Sequence, residues 1–288
     1  MKRLFITGGS GLLGSKFIRF SDKYEVITTY NSNPRDNAIK LDITNDEQVI
    51  NKIESLSPDV VVHSAALTNV DYCEDHQEEA YKINAQGTLN MAKACQKVDS
   101  KLIYVSTDFV FDGREGLYSE DHQTNPLSYY GLSKLKGEEF VKDSGVNYAI
   151  ARVSVLYGWH TNFNYVTWVI NELKAGNQIN IVTDEYNSPT YADNAAEALL
   201  KIFTKDKKGI YHIAGNERIN RFDFARNIAQ VFELDPTLIK PIKSEDLIRK
   251  AQRPLDSSLQ VRKAEIDLDI KLLNTKEGLK EMKGDVKK

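Results

Sequence analysis

Cysteine is nearly absent: Cys73 and Cys95 are the only two in 288 residues. They form no Cys-x-x-Cys pair and have no histidine pair near them. That argues against a disulfide framework or a zinc site and fits a reducing cytoplasm. Excess charge is lacking too. The formal net charge is -3, which leaves no electrostatic case for nucleic acid. Lysine-rich patches such as Lys205-Asp206-Lys207-Lys208 and the C-terminal tail read as solvated surface. No apolar run approaches the length needed to span a bilayer, so no membrane role is expected. The chain passes from Met1-Lys2-Arg3 straight into a strand pattern and a glycine loop, which is not the pattern of a signal peptide. There is no internal repeat, no low-complexity segment and no residue set that demands a metal.

What is present is an ordinary globular composition, 41% hydrophobic and 27% charged. The length suits one large domain, or a domain plus a smaller lobe. Leu4-Phe5-Ile6-Thr7 is a short β-prone run, followed at once by Gly8-Gly9-Ser10-Gly11-Leu12-Leu13-Gly14 and a helical pattern over Ser15–Phe20. Strand, glycine loop and helix in that order make a nucleotide-binding unit. Glycines allow a tight turn and close approach to phosphate, and the helix N-terminus offers free N–H groups to a pyrophosphate. The spacing is Gly8-x-x-Gly11-x-x-Gly14 rather than Gly-x-Gly-x-x-Gly.

A second strand is expected over Tyr24–Thr29. No acidic residue stands at its end to bind a ribose 2′-hydroxyl. Thr29-Tyr30-Asn31-Ser32-Asn33-Pro34-Arg35 stands there instead, polar donors ending in a guanidinium that suit a 2′-phosphate. NADP(H) is therefore preferred, with NAD(H) left open by the nearby Asp36. Leu41-Asp42-Ile43-Thr44 precedes a helix capped by Thr44 or Asn45. Pro58–His63 is a continuous β-branched run, hence a strand buried on both faces, and His63 reads as a satisfied core histidine. A helix is expected over Glu78–Val98 and a strand over Lys101–Asp108, whose carboxyl end presents two hydroxyls and a carboxylate. The alternation predicts an α/β fold: a doubly wound parallel Rossmann sheet with a smaller C-terminal substrate lobe.

Asn125-Pro126 opens a helical pattern expected from about Leu127 to Val141. Residues four apart share a helix face, so Tyr130 and Lys134 are neighbours. Of 14 tyrosines, only Tyr130 has lysine four residues later. A phenol titrates near ~10, too high for acid-base work at neutral pH, and an adjacent ammonium is expected to lower it.

Together these pieces resemble the extended short-chain dehydrogenase/reductase family, and more narrowly its dTDP-4-dehydrorhamnose reductase branch. The branch's motifs are similar to Ala65-Ala66-Leu67-Thr68-Asn69-Val70-Asp71-Tyr72-Cys73-Glu74, to Ser106-Thr107-Asp108-Phe109-Val110-Phe111, to Asn187-Ser188-Pro189-Thr190, to Gly209–Gly215 and to Arg253-Pro254. The resemblance implies a cytoplasmic NADPH-dependent reductase of a nucleotide 4-keto sugar. Tyr130 would protonate the keto oxygen, Thr107 would hydrogen-bond it, and Lys134 would bind the nicotinamide ribose and tune Tyr130. Asn84 would hold the local hydrogen bonds. Cofactor contacts would come from Gly8, Ser10, Gly11, Leu12, Leu13, Gly14, Tyr30, Arg35, Asp42, Ile43, Ala65, Ala66, Thr68, Tyr130 and Lys134. The substrate would meet Thr107, Val155, Trp159 and Arg253, with His160 a further candidate. Family members often pair through the helices flanking the active site, which leaves a homodimer open. Related reductases can use magnesium at a subunit interface.

Two departures bear on function. Phe109 stands where the related dehydratases have the glutamate that removes a proton, which argues against dehydration. Val155, in Arg152-Val153-Ser154-Val155, stands where the branch usually has tryptophan against the sugar. The regulatory β subunit of methionine adenosyltransferase is also similar and aliphatic there, so an NADP-binding regulatory subunit is the alternative, with an epimerase of the same fold behind it. The division expected is residues 1–155 plus about 185–215 for the dinucleotide, and about 156–184 plus 216–288 for the substrate. Within the latter, helices are expected over Tyr165–Ala175 and Arg221–Phe232, with an irregular lobe from Leu238 and a frayed tail beyond Lys276.

Overall fold

Short β-branched runs, each too short for a stable helix, supply the central strands. The computed structural model describes residues 1–32, 34 and 36–285. Its strands β1 (Arg3–Thr7), β2 (Glu25–Tyr30), β3 (Ala38–Lys40), β4 (Val60–His63), β5 (Lys101–Thr107) and β6 (Tyr148–Val153) all join one sheet. Four short strands follow: β7 (Leu156–Tyr157), β8 (Ile179–Val182), β9 (Tyr186–Asn187) and β10 (Thr190–Tyr191). Then β11 (Gly209–His212) returns to the sheet, before β12 (Ile219–Asn220) and β13 (Ile239–Ile242). The sheet has seven strands in the order β11-β6-β5-β4-β1-β2-β3, every neighbouring pair parallel. All carboxyl ends therefore share one edge, and the order reverses between β1 and β4, where such sheets bind ligands.

Successive strand residues point to opposite faces. Leu4, Ile6, Val60, Val62 and Ile103 enter one core cluster, while Phe5, Val61, Leu102 and Tyr104 enter the other. Both faces are covered, which explains the unbroken apolar runs. The covering helices are α1 (Leu12–Arg19), α2 (Asp46–Leu56), α3 (Val70–Asp75), α4 (Gln77–Tyr81), α5 (Gly87–Lys97), α6 (Tyr129–Asp143) and α8 (Ala192–Thr204), with α7 (Tyr165–Lys174) lying outside the sheet. The expected helix over Glu78–Val98 is interrupted by a π turn, Lys82–Gln86, between α4 and α5. Helix α6 starts later than expected because the Ser128 hydroxyl accepts from Gly131 N and caps it.

A third cluster joins Tyr157, Val166, Ile170, α9 (Arg221–Phe232) through Phe224 and Ile228, and the last helix. Of the two final helices, α10 (Arg262–Leu268) and α11 (Thr275–Asp285), the second overturns the expectation of a frayed tail. Leu279 and Met282 are fully buried on it, and the Tyr191 hydroxyl donates to Asp285. Its apolar face was too short to register as a helix in the sequence, but packing stabilises it. Leu259, Val261, Ala264, Leu268 and Leu272 lie in the stretch assigned to the substrate lobe, yet pack into a core cluster of the central sheet. Among the described residues, no helix is long and apolar enough to cross a membrane.

Candidate active site

The site is built along the carboxyl edge of β1, β4, β5 and β6. At its cofactor end, α1 begins after Gly11, which gives no side-chain cap, and no acidic residue lies in the first turn. Unpaired N–H groups and the positive end of the helix are thus directed at the edge. Gly8 has φ +69°, and a Cβ there would stand 2.8 Å from Ala65 N; one at Gly14 would stand 2.4 Å from Gly8 O. Only a chain without side chains at these points lets the β1 turn lie against Ala65. An uncapped helix end behind a bare turn fits a dinucleotide pyrophosphate.

Other expected cofactor residues are placed around this turn. Ser10, Leu12, Tyr30, Ala65 and Ala66 are half-buried and Thr68 is exposed. Leu13 turns into a core cluster of the sheet, so only its backbone could serve. Asp42 accepts from Thr44 N at 2.9 Å and Thr44 Oγ1 at 2.8 Å, and Ile43 O accepts from Asn90. Arg35 lies outside the described residues. His63 is the satisfied core histidine expected, bonded to Thr7 Oγ1 at 2.7 Å and Thr88 Oγ1 at 3.2 Å, and burial pulls it down to about 3.

Thr107 ends β5, and Tyr130 and Lys134 occupy successive turns of α6. The Thr107 hydroxyl donates to Asp108 Oδ1 at 3.1 Å and accepts from Phe109 N at 3.2 Å, and the Phe109 ring stands edge-on to Tyr130 at 6.0 Å. Lys134 is 2% exposed. Its Nζ donates to Val105 O at 2.8 Å and lies 4.2 Å from the Tyr104 ring centroid. Burial lowers it to about 7, against the pull of Glu138. Tyr130 moves the other way. Desolvation pushes it above its ordinary value, the Asp108 and Cys73 charges add to this, and Thr107 opposes. The expected acidification by Lys134 is therefore absent: the ammonium turns into the sheet toward Val105 instead of facing the phenol.

Asn84 is held by the π turn, accepting from Leu67 N and donating to Leu67 O and Ser133 Oγ. Behind Lys134, Glu138 accepts from Ser106 Oγ at 2.6 Å and from two nitrogens of the buried Arg152 at 2.9 and 2.7 Å. That pairing keeps its carboxyl below the usual range despite burial. Beyond Phe109 opens a cavity of about 340 Å³, with Tyr165, Trp168, Asn187, Glu185, Arg221, Arg249 and Arg253 in its walls. Arg221 lies over the Tyr165 ring at 5.0 Å, Arg249 pairs with Glu185, and Arg253 pairs with Asp71 at 2.9 Å. Three guanidiniums thus stand around one hollow, two of them paired with carboxylates, Glu185 and Asp71; guanidinium forks are suited to phosphate oxygens.

Comparison with known proteins bears on this edge. The family described as RmlD substrate binding domain matches residues 1–287. The chain belongs to that family. The dTDP-4-dehydrorhamnose reductase of Aggregatibacter actinomycetemcomitans is 34% identical over 91% of this chain and 92% of its own. A crystal structure of dTDP-4-dehydrorhamnose reductase from Bacillus anthracis in complex with NADP superposes with a TM-score of 0.91 and 32% identity, covering 99% of this chain and all of that one. The bovine methionine adenosyltransferase 2 subunit beta is 29% identical over 92% of this chain and 82% of its own.

Within this RmlD-type chain, the expected substrate residues divide. Arg253 lines the cavity. Trp159 does not: its Nε1 donates to Met282 O at 2.6 Å and its ring meets Phe232 edge-on, so it anchors α11. Val155 packs on the third core cluster with φ +41°, a strained conformation for a β-branched residue. The His160 Nδ1 accepts from Asn162 N within its own loop. Tyr165, Trp168, Arg221 and Arg249 were not singled out from the sequence. Tyr165 and Trp168 are three apart on α7, so they share a face, but that spacing is equally the spacing of core residues.

Proposed function

We propose that the chain is an NADP(H)-dependent reductase of a nucleoside-diphosphate 4-keto-6-deoxy sugar, of the dTDP-4-dehydrorhamnose type. One observation carries the reading: Thr107, Tyr130 and Lys134 converge on the sheet edge between a bare pyrophosphate turn and an arginine-walled cavity. The dinucleotide would lie across β1 and β4 with its pyrophosphate at Gly11 and its nicotinamide near Tyr130. The carbohydrate would sit against Phe109 and the diphosphate against Arg221, Arg249 and Arg253. The absence of a carboxylate at the end of β2, with Asn31 and Ser32 exposed beyond it, favours the 2′-phosphorylated cofactor.

When bound, the nicotinamide supplies a hydride to the carbonyl carbon. Tyr130 gives its proton to the carbonyl oxygen, so ketone, hydride and proton become a secondary alcohol and the phenol becomes a phenolate. Lys134 would meet the nicotinamide ribose rather than the phenolate: its Nζ is bonded to Val105 O and set over the Tyr104 ring, with Glu138 favouring its charged form. Phe109 and Tyr165 line the cavity and would limit water at the reacting carbon. Phe109 cannot act as a base, so the site lacks the group that dehydration would use.

The relative that is a methionine adenosyltransferase subunit favours a second reading, a cofactor-binding regulatory subunit. Assaying NADPH oxidation against a panel of nucleotide 4-keto sugars separates the two. Turnover of a dTDP-linked 4-keto-6-deoxy sugar is expected. Tight NADPH binding with no turnover on any member would favour the regulatory reading.

A further inference from the structure

The guanidiniums in the cavity wall are not equivalent. Arg249 is paired with Glu185, and Arg253 with Asp71 at 2.9 Å, so each of those charges already has a carboxylate against it. Arg221 is half-buried in the same wall and has no ion pair and no side-chain hydrogen bond among the described residues. None of its guanidinium nitrogens is closed off from solvent. Asp108 feels its charge, but that carboxylate is 3% exposed and bonded to the hydroxyls of Thr107, Ser154 and Ser257 instead.

What holds Arg221 in place is backbone and an aromatic ring. It is the first residue of α9. Its N donates to Glu185 O at 3.0 Å, and its O accepts from the Tyr165 hydroxyl at 2.8 Å. The guanidinium lies over the Tyr165 ring, 5.0 Å from the centroid. That ring is in turn stacked on the fully buried Phe224, with centroids 5.6 Å apart. A ring face attracts a cation without supplying a counter-charge or a hydrogen-bond acceptor. The guanidinium is therefore positioned while its charge and its N–H groups stay available. A carboxylate partner would have occupied both, as Glu185 does at Arg249.

The pairs at Arg249 and Arg253 add no net charge to the wall. The surplus positive charge of the cavity is thus at Arg221, on a planar fork that fits the oxygens of a phosphate.

We infer that Arg221 is the specificity-determining residue that reads the charge of the substrate, while Arg249 and Arg253 shape the wall through their carboxylate pairs. This rests on the reductase reading for the ligand, a nucleoside diphosphate, and deepens it. A neutral nucleoside or a free keto sugar lacks the group that Arg221 binds and is discriminated against.

The test is isothermal titration calorimetry of the whole chain, with NADP present, against thymidine diphosphate, and against thymidine by displacement of the diphosphate. The readout is the ratio of the two Kd values, which a general loosening of the cavity leaves alone. Arg221→Met is expected to cut the preference for the diphosphate by about 10- to 100-fold, the range for a hydrogen-bonded charge, while thymidine binds as it does to the wild type. Arg221→Lys returns the charge without the fork and should recover part of the ratio. Arg221→Gln, checked by circular dichroism, gives the same reading if the methionine variant does not fold. Replacing Arg249 and Glu185 together by glutamine removes a neutral pair and should leave the ratio nearly unchanged. An Arg221→Met protein that keeps the wild-type ratio, or a double variant that loses as much of it, would overturn the inference. So would a wild type that binds the diphosphate no better than thymidine. Turnover judges the reductase reading separately: a wild type that gives the expected titrations but oxidises NADPH with no keto sugar sinks that reading and leaves Arg221 as the reader of charge.

Discussion

Replacing Lys134 by methionine should make the protein more stable while destroying its activity. The ammonium is 2% exposed and titrates near 7 instead of its ordinary 10.5, with burial the main cause. Each pH unit of such a displacement corresponds to about 1.36 kcal/mol, so keeping this amine inside the fold at pH 7 costs on the order of 4 kcal/mol. Methionine has a similar length and no charge to desolvate. It forfeits the bond to Val105 O and the contact over the Tyr104 ring, together about 2 kcal/mol. The net gain is then about 2 kcal/mol, or roughly 4–8 °C in Tm for a chain of this size. The sign has a pH signature. Between pH 7 and about 10.4 the unfolded chain binds the proton that the folded chain has released, so wild-type stability rises with pH across that window. The variant lacks the effect, and the gap between the two should close toward pH 10. Urea denaturation at pH 7 and at pH 9.5, paired with NADPH oxidation, reads all of this. A methionine variant less stable than wild type at pH 7, or a gap that does not depend on pH, would refute the reasoning.

Two further substitutions test other parts of the architecture. Glu138→Gln leaves Arg152 buried without its charge partner and should cost about 3 kcal/mol in denaturant unfolding at pH 7. Because the Glu138 carboxyl is held below its usual range, its contribution is fully present above about pH 4.5 and lost as pH falls through the depressed value. The deficit of the variant should therefore shrink in acid. Trp159→Phe removes the donor to Met282 O and should cost about 1 kcal/mol, speeding hydrogen exchange in α11 without changing KM for a sugar nucleotide. A tenfold rise in KM would return Trp159 to the substrate.

The sheet was legible because its strands carry their own evidence. Val60–Val62 is a β-branched run apolar on both faces, as a central strand requires, and the glycine turn after β1 needs bare backbone wherever it occurs. Other features depend on contacts between residues far apart in the chain. Helix α11 is held by Tyr157, Phe224 and Trp159, none adjacent in sequence. Trp159 was a substrate candidate close in sequence to Val155, and only its bond to Met282 O reveals it as an anchor. Tyr130 and Lys134 were found from a four-residue spacing, which correctly puts them on one helix. Spacing says nothing of rotamers, however, and the ammonium points to Val105 instead. The arginine wall of the cavity comes from Arg221, Arg249 and Arg253, brought together by the fold with no motif linking them.

The most direct measurement is the rate of NADPH oxidation by Tyr130→Phe on a dTDP-linked 4-keto-6-deoxy sugar, beside its affinity for NADPH alone. The ring keeps its place against Phe109, and only the transferable proton is gone. Turnover should fall by about 10²–10⁴ while NADPH affinity stays nearly that of the wild type. Turnover equal to the wild type would contradict the assignment of the proton to Tyr130.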